Sequence, residues 1–385
     1  MEDSLRGKIE SFFFMRILFC RSNPIAPDPR VEKEARALSY AGHQVIALGW
    51  DRSGVLPGTE AYPDFHLFRL KIKAEYANGM GNLPQLLKWE LGLLHWLVDH
   101  RAEYDAIHAC DFDTILPCLF IKRLFKKAVV YDIFDFYADH LRRTPKIIIN
   151  IIRSADLWAI RQADAVIIVD DARVKQIEGS RPRKLIVIYN SPEDVPAVSN
   201  GETFFSPSSK LKLTYVGLLQ VERGLFEMLA LLKKHPEWEL NLAGFGGDET
   251  QLVDMAKDMP NVHWHGRVSY DKALQLSQAA DVLFATYDPS IPNHAYSSPN
   301  KVFEAMMLGK PLIVAQDTNI DKITGKYRNG IVTKYGNIQD LEAALFVLEN
   351  AATRDEMGKN SRHAYDEKYG WKEMEKKLIA LYMNL

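Results

Sequence analysis

Cysteine is scarce in this sequence, with three residues in 385, at Cys20, Cys110 and Cys118. They lie scattered among apolar neighbours and form no Cys-x-x-Cys pair. That excludes a disulfide framework and leaves a zinc site without ligands at the right spacing. Reduced, buried thiols are the expected state. Charge of one sign is also lacking. The 48 Lys and Arg nearly balance the 50 Asp and Glu, for a formal net charge of -2. The chain as a whole therefore offers no strong field to nucleic acid or membrane, although local patches still can. No run approaches the ~18 apolar residues that cross a bilayer. The most apolar stretch, Lys146 to Ile160, is interrupted by Arg153 and Asp156. The start of the chain carries Glu2, Asp3 and Glu10 without a long apolar segment, so no secretion signal is expected and the protein reads as cytoplasmic. No Gly-x-Gly-x-x-Gly follows the first strand, which argues against a nicotinamide-dependent oxidoreductase. No solenoid period is found.

What is present is an ordinary globular composition, 47% hydrophobic and 25% charged, in a chain long enough for two domains. Short β-branched runs alternate with helical patterns. Arg16 to Cys20, Gln44 to Gly49, Ala106 to Ala109, Ala128 to Tyr131, Ala165 to Val169 and Leu185 to Tyr189 read as buried strands, and Val31 to Gly42 reads as a helix closed by glycine. After Asn190 a stretch rich in Pro, Ser and Gly interrupts the rhythm. It restarts with strands at Leu211 to Val216, Glu239 to Ala243, Val262 to His265, Val282 to Ala285 and Leu312 to Ala315. The expected fold class is α/β, with two doubly wound Rossmann-like domains. Their expected bounds are 15–195 and 211–368, with a linker at 196–210 and an appendage at 1–14. Ligands of such sheets bind outside the C-terminal ends of the strands.

The second half carries the stronger signals. In Thr214 to Gly224 a strand ends at Gly217, and Arg223 stands at the entrance of the next helix. There an arginine can clamp a phosphate, or simply be solvated beside a turn glycine. Gly244, in Asn241 to Gly247, permits close backbone approach to a ligand, as an ordinary strand–helix turn also would. Asn261 to Val268 ends a strand at Gly266, beside Arg267 and Val268, an edge over which a base can lie. Its histidines alternate with Val and Trp, which suits strand faces better than metal ligation. Most informative is Tyr296 to Val314. Ser298 and Pro299 lead into a helix from Asn300. Lys301 lies in its first turn and Glu304 one turn later. A helix N-terminus with a lysine suits a diphosphate, and an acidic group suits ribose hydroxyls. The plainer alternative is a Lys–Glu surface pair.

In the first half, Arg30 follows the first strand, either to recognise an acceptor phosphate or carboxylate or to pair with Glu34. Asp132 and Asp135 follow another strand. A carboxylate there, Asp135 above all, either accepts a proton from or orients an acceptor hydroxyl, or else caps a helix. Phe120 to Lys127, with Arg142, Arg143 and Lys146 further on, mixes apolar and basic residues in a way that suits anionic lipid or a core-facing helix with a solvated basic side.

Taken together these segments resemble the retaining family-4 glycosyltransferases, the group 1 enzymes of GT-B architecture. Ser298 to Val314 (SPNKVFEAMMLGKPLIV) comes near to a signature for that family. The segments at Gly217 to Gly224, Gly244, Gly266 and Ala280 to Val282 stand in its usual order, and Asp28 to Val31, Gly42 to Val45, Ala163 to Val166 and Tyr189 to Pro192 resemble its looser N-terminal landmarks. The resemblance implies two domains facing a central cleft, with the final helix 369–385 packed back on the first. It implies that a nucleotide-diphosphate sugar is the co-substrate, with no cofactor and no metal. It implies that Arg223, where the family usually has Lys, and the loop from Ser298 to Lys301 meet the donor phosphates. Glu304 would bind the ribose, and Gly266 to Val268 would lie near the base. The acceptor, a glycan or lipid-linked molecule in polysaccharide or glycolipid assembly, would fall to the first domain. Nucleic acid is not an implied partner.

Three positions depart from the pattern. Tyr296 replaces the first Glu of the family's pair, Leu218 replaces the Arg after the phosphate-loop glycine, and Phe134 replaces a His. They leave open a second reading, a catalytically degenerate GT-B protein that binds nucleotide sugar or serves as a partner subunit. An epimerase or a phosphorylase on the same fold is a further alternative, the latter needing a pyridoxal-phosphate lysine.

Overall fold

In the structure, a computed structural model describing residues 14–75, 79–141, 144–195 and 204–385, the chain divides into two units. The first comprises Met1–Ile188 with Met374–Leu385, and the second Tyr189–Glu373. Arg142, Arg143, residues 1–13 of the expected appendage and residues 196–203 of the expected linker lie outside the described residues.

The first unit runs β1 (Arg16–Arg21), α1 (Pro29–Tyr40), β2 (Gln44–Asp51), β3 (Thr59–Ala61), β4 (His66–Lys71), α2 (Leu83–Asp99), β5 (Ala106–Cys110), α3 (Phe112–Phe125), β6 (Ala128–Ile133), α4 (Lys146–Gln162), β7 (Ala165–Ile168) and β8 (Leu185–Val187). The sheet order is β3-β4-β2-β1-β5-β6-β7-β8. Every pairing is parallel except β3 with β4. Burial on both faces explains the near-continuous apolar strands. Ile17, Leu18, Phe19 and Cys20 of β1 are wholly inaccessible to solvent. Asp28 begins α1 by accepting from Val31 N–H, with Pro29 at the first helical position, where a missing N–H costs nothing. Trp50 of β2 and Trp89 of α2 stack at 5.4 Å, and each indole N–H finds a backbone carbonyl, of Ile72 and Asp113 respectively.

The second unit runs β9 (Leu211–Leu218), α5 (Leu225–Lys234), β10 (Trp238–Phe245), α6 (Glu249–Ala256), β11 (Val262–Trp264), α7 (Tyr270–Ala279), β12 (Val282–Ala285), α8 (Asn300–Met307), β13 (Leu312–Ala315), α9 (Ile320–Tyr327), β14 (Gly330–Thr333), α10 (Ile338–Leu348) and α11 (Ala351–Ala364). The six strands pair in parallel in the order β11-β10-β9-β12-β13-β14. Ser269, Asn337 and Asn350 cap α7, α10 and α11. A last helix, α12 (Trp371–Met383), follows, and from Met374 onward it belongs to the first unit.

The α/β reading holds, with specific differences. Among the strands, β3, β4 and β14 are not expected from the sequence, and β3 is an antiparallel edge. Asp132, expected after its strand, lies inside β6 and is fully buried. Tyr189 to Val195 fall with the second unit for a visible reason. The Tyr189 ring packs against Phe303 and Tyr369, Asn190 donates to Ser298 O, Tyr365 OH donates to Pro192 O, and Asp194 pairs with Arg362. The end of α12 joins the first unit through Tyr382, whose hydroxyl lies 2.9 Å from His108 Nδ1.

Candidate functional site

In the second unit the C-terminal ends of β9 and β10 meet glycine to glycine. Gly217 pairs with Gly244, at φ 155° and 145°. A Cβ built on Gly244 would stand 1.8 Å from Gly217 O. Only glycine permits this approach. Gly244 N–H donates to Gly266 O at 2.8 Å, and Leu219 N–H to Phe245 O at 2.9 Å, so the three glycine segments form one rigid floor. Gly244→Ala is accordingly expected to destabilise the second unit by about 1–3 kcal/mol or more. Denaturant unfolding would read this, and an unchanged midpoint would contradict it.

Above this floor the structure brings together two cations 78 positions apart in sequence. Lys301, from the first turn of α8, holds its ammonium 3.5 Å from the Tyr215 ring centre and 6.0 Å from that of Tyr287. Arg223, in the short turn Val221–Arg223 before α5, lays its guanidinium 4.3 Å from the same Tyr287 ring. Aromatic faces hold cations in place without neutralising them. A Cβ on Gly217 would lie 2.9 Å from Lys301 Nζ, so the ammonium sits directly over that glycine. Burial, and then the Arg223 charge, push Lys301 down to about 7, with Glu304 opposing. The turn carrying Arg223 is tied down by Thr286 Oγ1, donating to Arg223 O at 2.8 Å, and by Tyr335 OH, donating to Val221 O at 2.9 Å.

Ser298 is buried, and its carbonyl is fixed by Asn190 Nδ2 at 3.0 Å. Pro299 precedes α8, and no side chain caps the helix at Asn300. The positive end of α8 thus opens beside Lys301. Glu304, one turn on, hydrogen-bonds the Tyr270 hydroxyl, whose pKa is pushed up by burial and then by the Glu304 charge. Gly266 takes φ 67°, and Arg267 after it stacks 4.6 Å from the half-exposed Phe245 ring. Val268 follows on the same edge. Tyr296 lies in the turn His294–Tyr296 leading to this loop, and Leu218 ends β9.

In the first unit, the expected acceptor residues fall into two clusters. Arg30 is buried in ion pairs. Its Nε and Nη2 donate to the two oxygens of Asp132, each at 3.0 Å, Nη1 donates to Ile188 O at 2.9 Å, and Nη2 lies 3.1 Å from Glu34. Burial works against ionisation of Asp132, yet Arg30 and His108 hold its carboxyl below the usual range, whereas burial pushes Glu34 up to about 7. Glu34, His108 and Asp132 bring ligand atoms within 4.8 Å of one another. The Arg30 guanidinium supplies positive charge there and ties the set into a buried ion-pair network. Asp135 is half-exposed and accepts from Arg173 Nη2 at 2.7 Å. The Phe134 ring lies under two guanidiniums, Arg21 at 4.0 Å and Arg30 at 4.9 Å.

Several of these residues escape sequence reading. Asp111 adopts φ 64°, accepts from Phe134 and Asp135 N–H, and pairs with Arg21; burial pushes its carboxyl up to about 6. It positions the loop carrying Asp135. A polar residue just after β5 is the signal that could have pointed to it. Tyr215, Tyr270 and Tyr287 read as ordinary apolar positions in the sequence.

Two units built on largely parallel, Rossmann-like sheets match the GT-B architecture of known glycosyltransferase structures. Residues 202–364 match the family described as glycosyl transferases group 1. The chain is a glycosyltransferase, and its residues 202–364 are similar to this group 1 domain. It is 20% identical over 376 residues to a glycogen synthase of Mycobacterium tuberculosis, covering 90% of this chain and 88% of the relative. Its fold resembles a sucrose-phosphate synthase of Thermosynechococcus elongatus, with TM-score 0.77, 15% identity, and 96% and 98% of the two chains covered. It also resembles the Anabaena protein HepE in complex with UDP, with TM-score 0.65, 16% identity, and 96% and 100% covered.

Proposed function

We propose that the protein is a retaining transferase of the family-4 type. It moves a sugar from a nucleotide-diphosphate donor to a glycan or lipid-linked acceptor, in polysaccharide or glycolipid assembly in the cytoplasm. The observation that carries this reading is the pairing of Arg223 and Lys301 on Tyr287, over Gly217 and beside the uncapped start of α8. When the sugar leaves, charge concentrates on the diphosphate oxygens. Fixed cations and a helix N-terminus stabilise that charge most where it develops. Lys301 supplies the cation that Leu218 lacks, since its ammonium lies over the neighbouring Gly217. On this reading the two cations serve where a metal ion would otherwise be needed. Glu304 takes the ribose hydroxyls, and Arg267 with Phe245 offers a flat edge to the base. Asp135 orients the acceptor, held by Arg173.

The replacements at Tyr296, Leu218 and Phe134 favour a second reading, a donor-binding protein without turnover. A donor panel of UDP-, GDP-, ADP- and dTDP-sugars decides between them, with UDP-glucose first because HepE has been seen with it. A donor at about 100 times its Kd adds about 2.7 kcal/mol of stability, which raises Tm by about 5–10 °C. Slow hydrolysis of one donor, with shift and hydrolysis both lost in Glu304→Ala, is the expected result. A shift with neither hydrolysis nor transfer to any glycan or lipid-linked acceptor supports the second reading, and no shift with any donor rejects both.

A further inference from the structure

The helical layer formed by α2, α3 and α4 in the first unit is apolar on both of its faces. Inward, Trp89, Leu93, Ile115, Leu119 and Ile160 enter the core against the sheet. Outward, α2 exposes Leu83, Leu87 and Leu91 at four-residue spacing, with Leu91 67% accessible. Neighbouring α3 exposes Phe120 and Leu124 at the same spacing. Next to it α4 exposes Ile147, at 74%, then Ile151 and Trp158. Single exposed apolar side chains need no explanation, but stripes on three adjacent helices do. A helix that is apolar all round is buried or faces lipid.

The charges on this face choose between occupants. Lys88, Arg123, Lys146 and Arg161 are exposed along the helices, and Lys126 is exposed at the end of α3. The one exposed acid on the same helices is Asp99, at the C-terminal end of α2, next to His95. Glu90 is half-buried, and Asp113 and Asp156 are buried. A second copy of this chain would bring like charges together, which disfavours self-association. An anionic bilayer suits both the basic residues and the apolar stripes: long basic side chains reach its headgroups while Leu, Ile and Trp enter the interface. Among the described residues no helix is long and apolar enough to cross a membrane. We propose that the outer face of α2, α3 and α4 docks the protein peripherally on an anionic lipid surface.

The proposal is read from lipid binding alone and stands apart from the transfer reaction. Co-sedimentation would be measured with vesicles of phosphatidylcholine, with and without phosphatidylglycerol. The wild type is expected to bind the anionic vesicles and to bind neutral ones far more weakly. Arg123→Glu with Lys126→Glu is expected to weaken binding at least about fivefold for each basic residue removed. Ile151→Glu with Trp158→Glu is expected to lower it about tenfold or more, with Tm unchanged. Failure to sediment with either vesicle, or equal binding by wild type and both variants, would overturn it. So would a dimer in analytical ultracentrifugation that the Ile151→Glu, Trp158→Glu variant abolishes, since the face would then belong to a second copy.

Discussion

Lys301→Ala and Arg223→Ala are each expected to lower kcat/KM for donor turnover by about 10²- to 10³-fold, the usual effect of removing one preorganised group from a developing anion. The double variant should fall less than the product of the two, because the two cations lie near the same Tyr287 ring and act on one diphosphate. Lys301 adds a pH signature. Burial and Arg223 hold it at about 7, so above that pH the free protein carries a neutral amine there. A diphosphate favours the ammonium, and binding must then take up a proton. Affinity for the nucleoside diphosphate should therefore be greatest below about pH 7 and decline above it, by at most tenfold per pH unit. Calorimetry in buffers of different ionisation enthalpy reads the proton directly. Lys301→Arg, whose guanidinium does not titrate in this range, should flatten the profile. A flat profile in the wild type would sink the assignment. The same shift bears on stability. Between about 7 and the ordinary lysine value of 10.5 the unfolded chain holds a proton that the folded one lacks. Stability from this group thus rises with pH across that window, and its penalty is complete below it.

The second large effect is structural and falls on Arg30. Arg30→Ala is expected to destabilise the first unit by about 3–5 kcal/mol, because it leaves Asp132 and Glu34 buried without their countercharge. Tm should fall by about 10 °C. Exchanging the whole set, with Arg30→Met, Glu34→Gln and Asp132→Asn together, should recover part of that loss. An Arg30 that served only to bind an acceptor would behave differently: Arg30→Ala would melt like wild type and lose acceptor affinity alone. Thermal melts of the single and triple variants separate the two roles.

Much of the molecule was legible in the sequence. The buried parallel strands announce themselves as β-branched runs, because a strand covered on both faces has no polar side to alternate with. The SPNKVFEAMMLGKPLIV segment carries its own chemistry: a proline before the helix, a lysine in the first turn and a glutamate one turn on are local facts about one helix end. Gly217, Gly244 and Gly266 each mark a strand end for the same local reason. The antiparallel edge β3 and β4 was not legible, since short half-exposed strands next to a turn leave no distinctive period.

What only the tertiary structure decided was which long-range partners these residues meet. Arg30 reads equally well as a ligand clamp or as a helix-entry ion pair. The structure shows the expected pair with Glu34 and adds one with Asp132, 102 positions away. Lys301 reads as a diphosphate-binding group or as a surface partner of Glu304, and neither reading shows that β9 brings Tyr215 and Gly217 beneath its ammonium. Asp111 does not stand out in the sequence, and its role appears only when Arg21, 90 positions earlier, closes on it. Local sequence fixes backbone preference and periodicity, which act over a few residues. Burial, countercharge and cation–aromatic contact depend on which strands the sheet sets side by side, and no local pattern encodes that order.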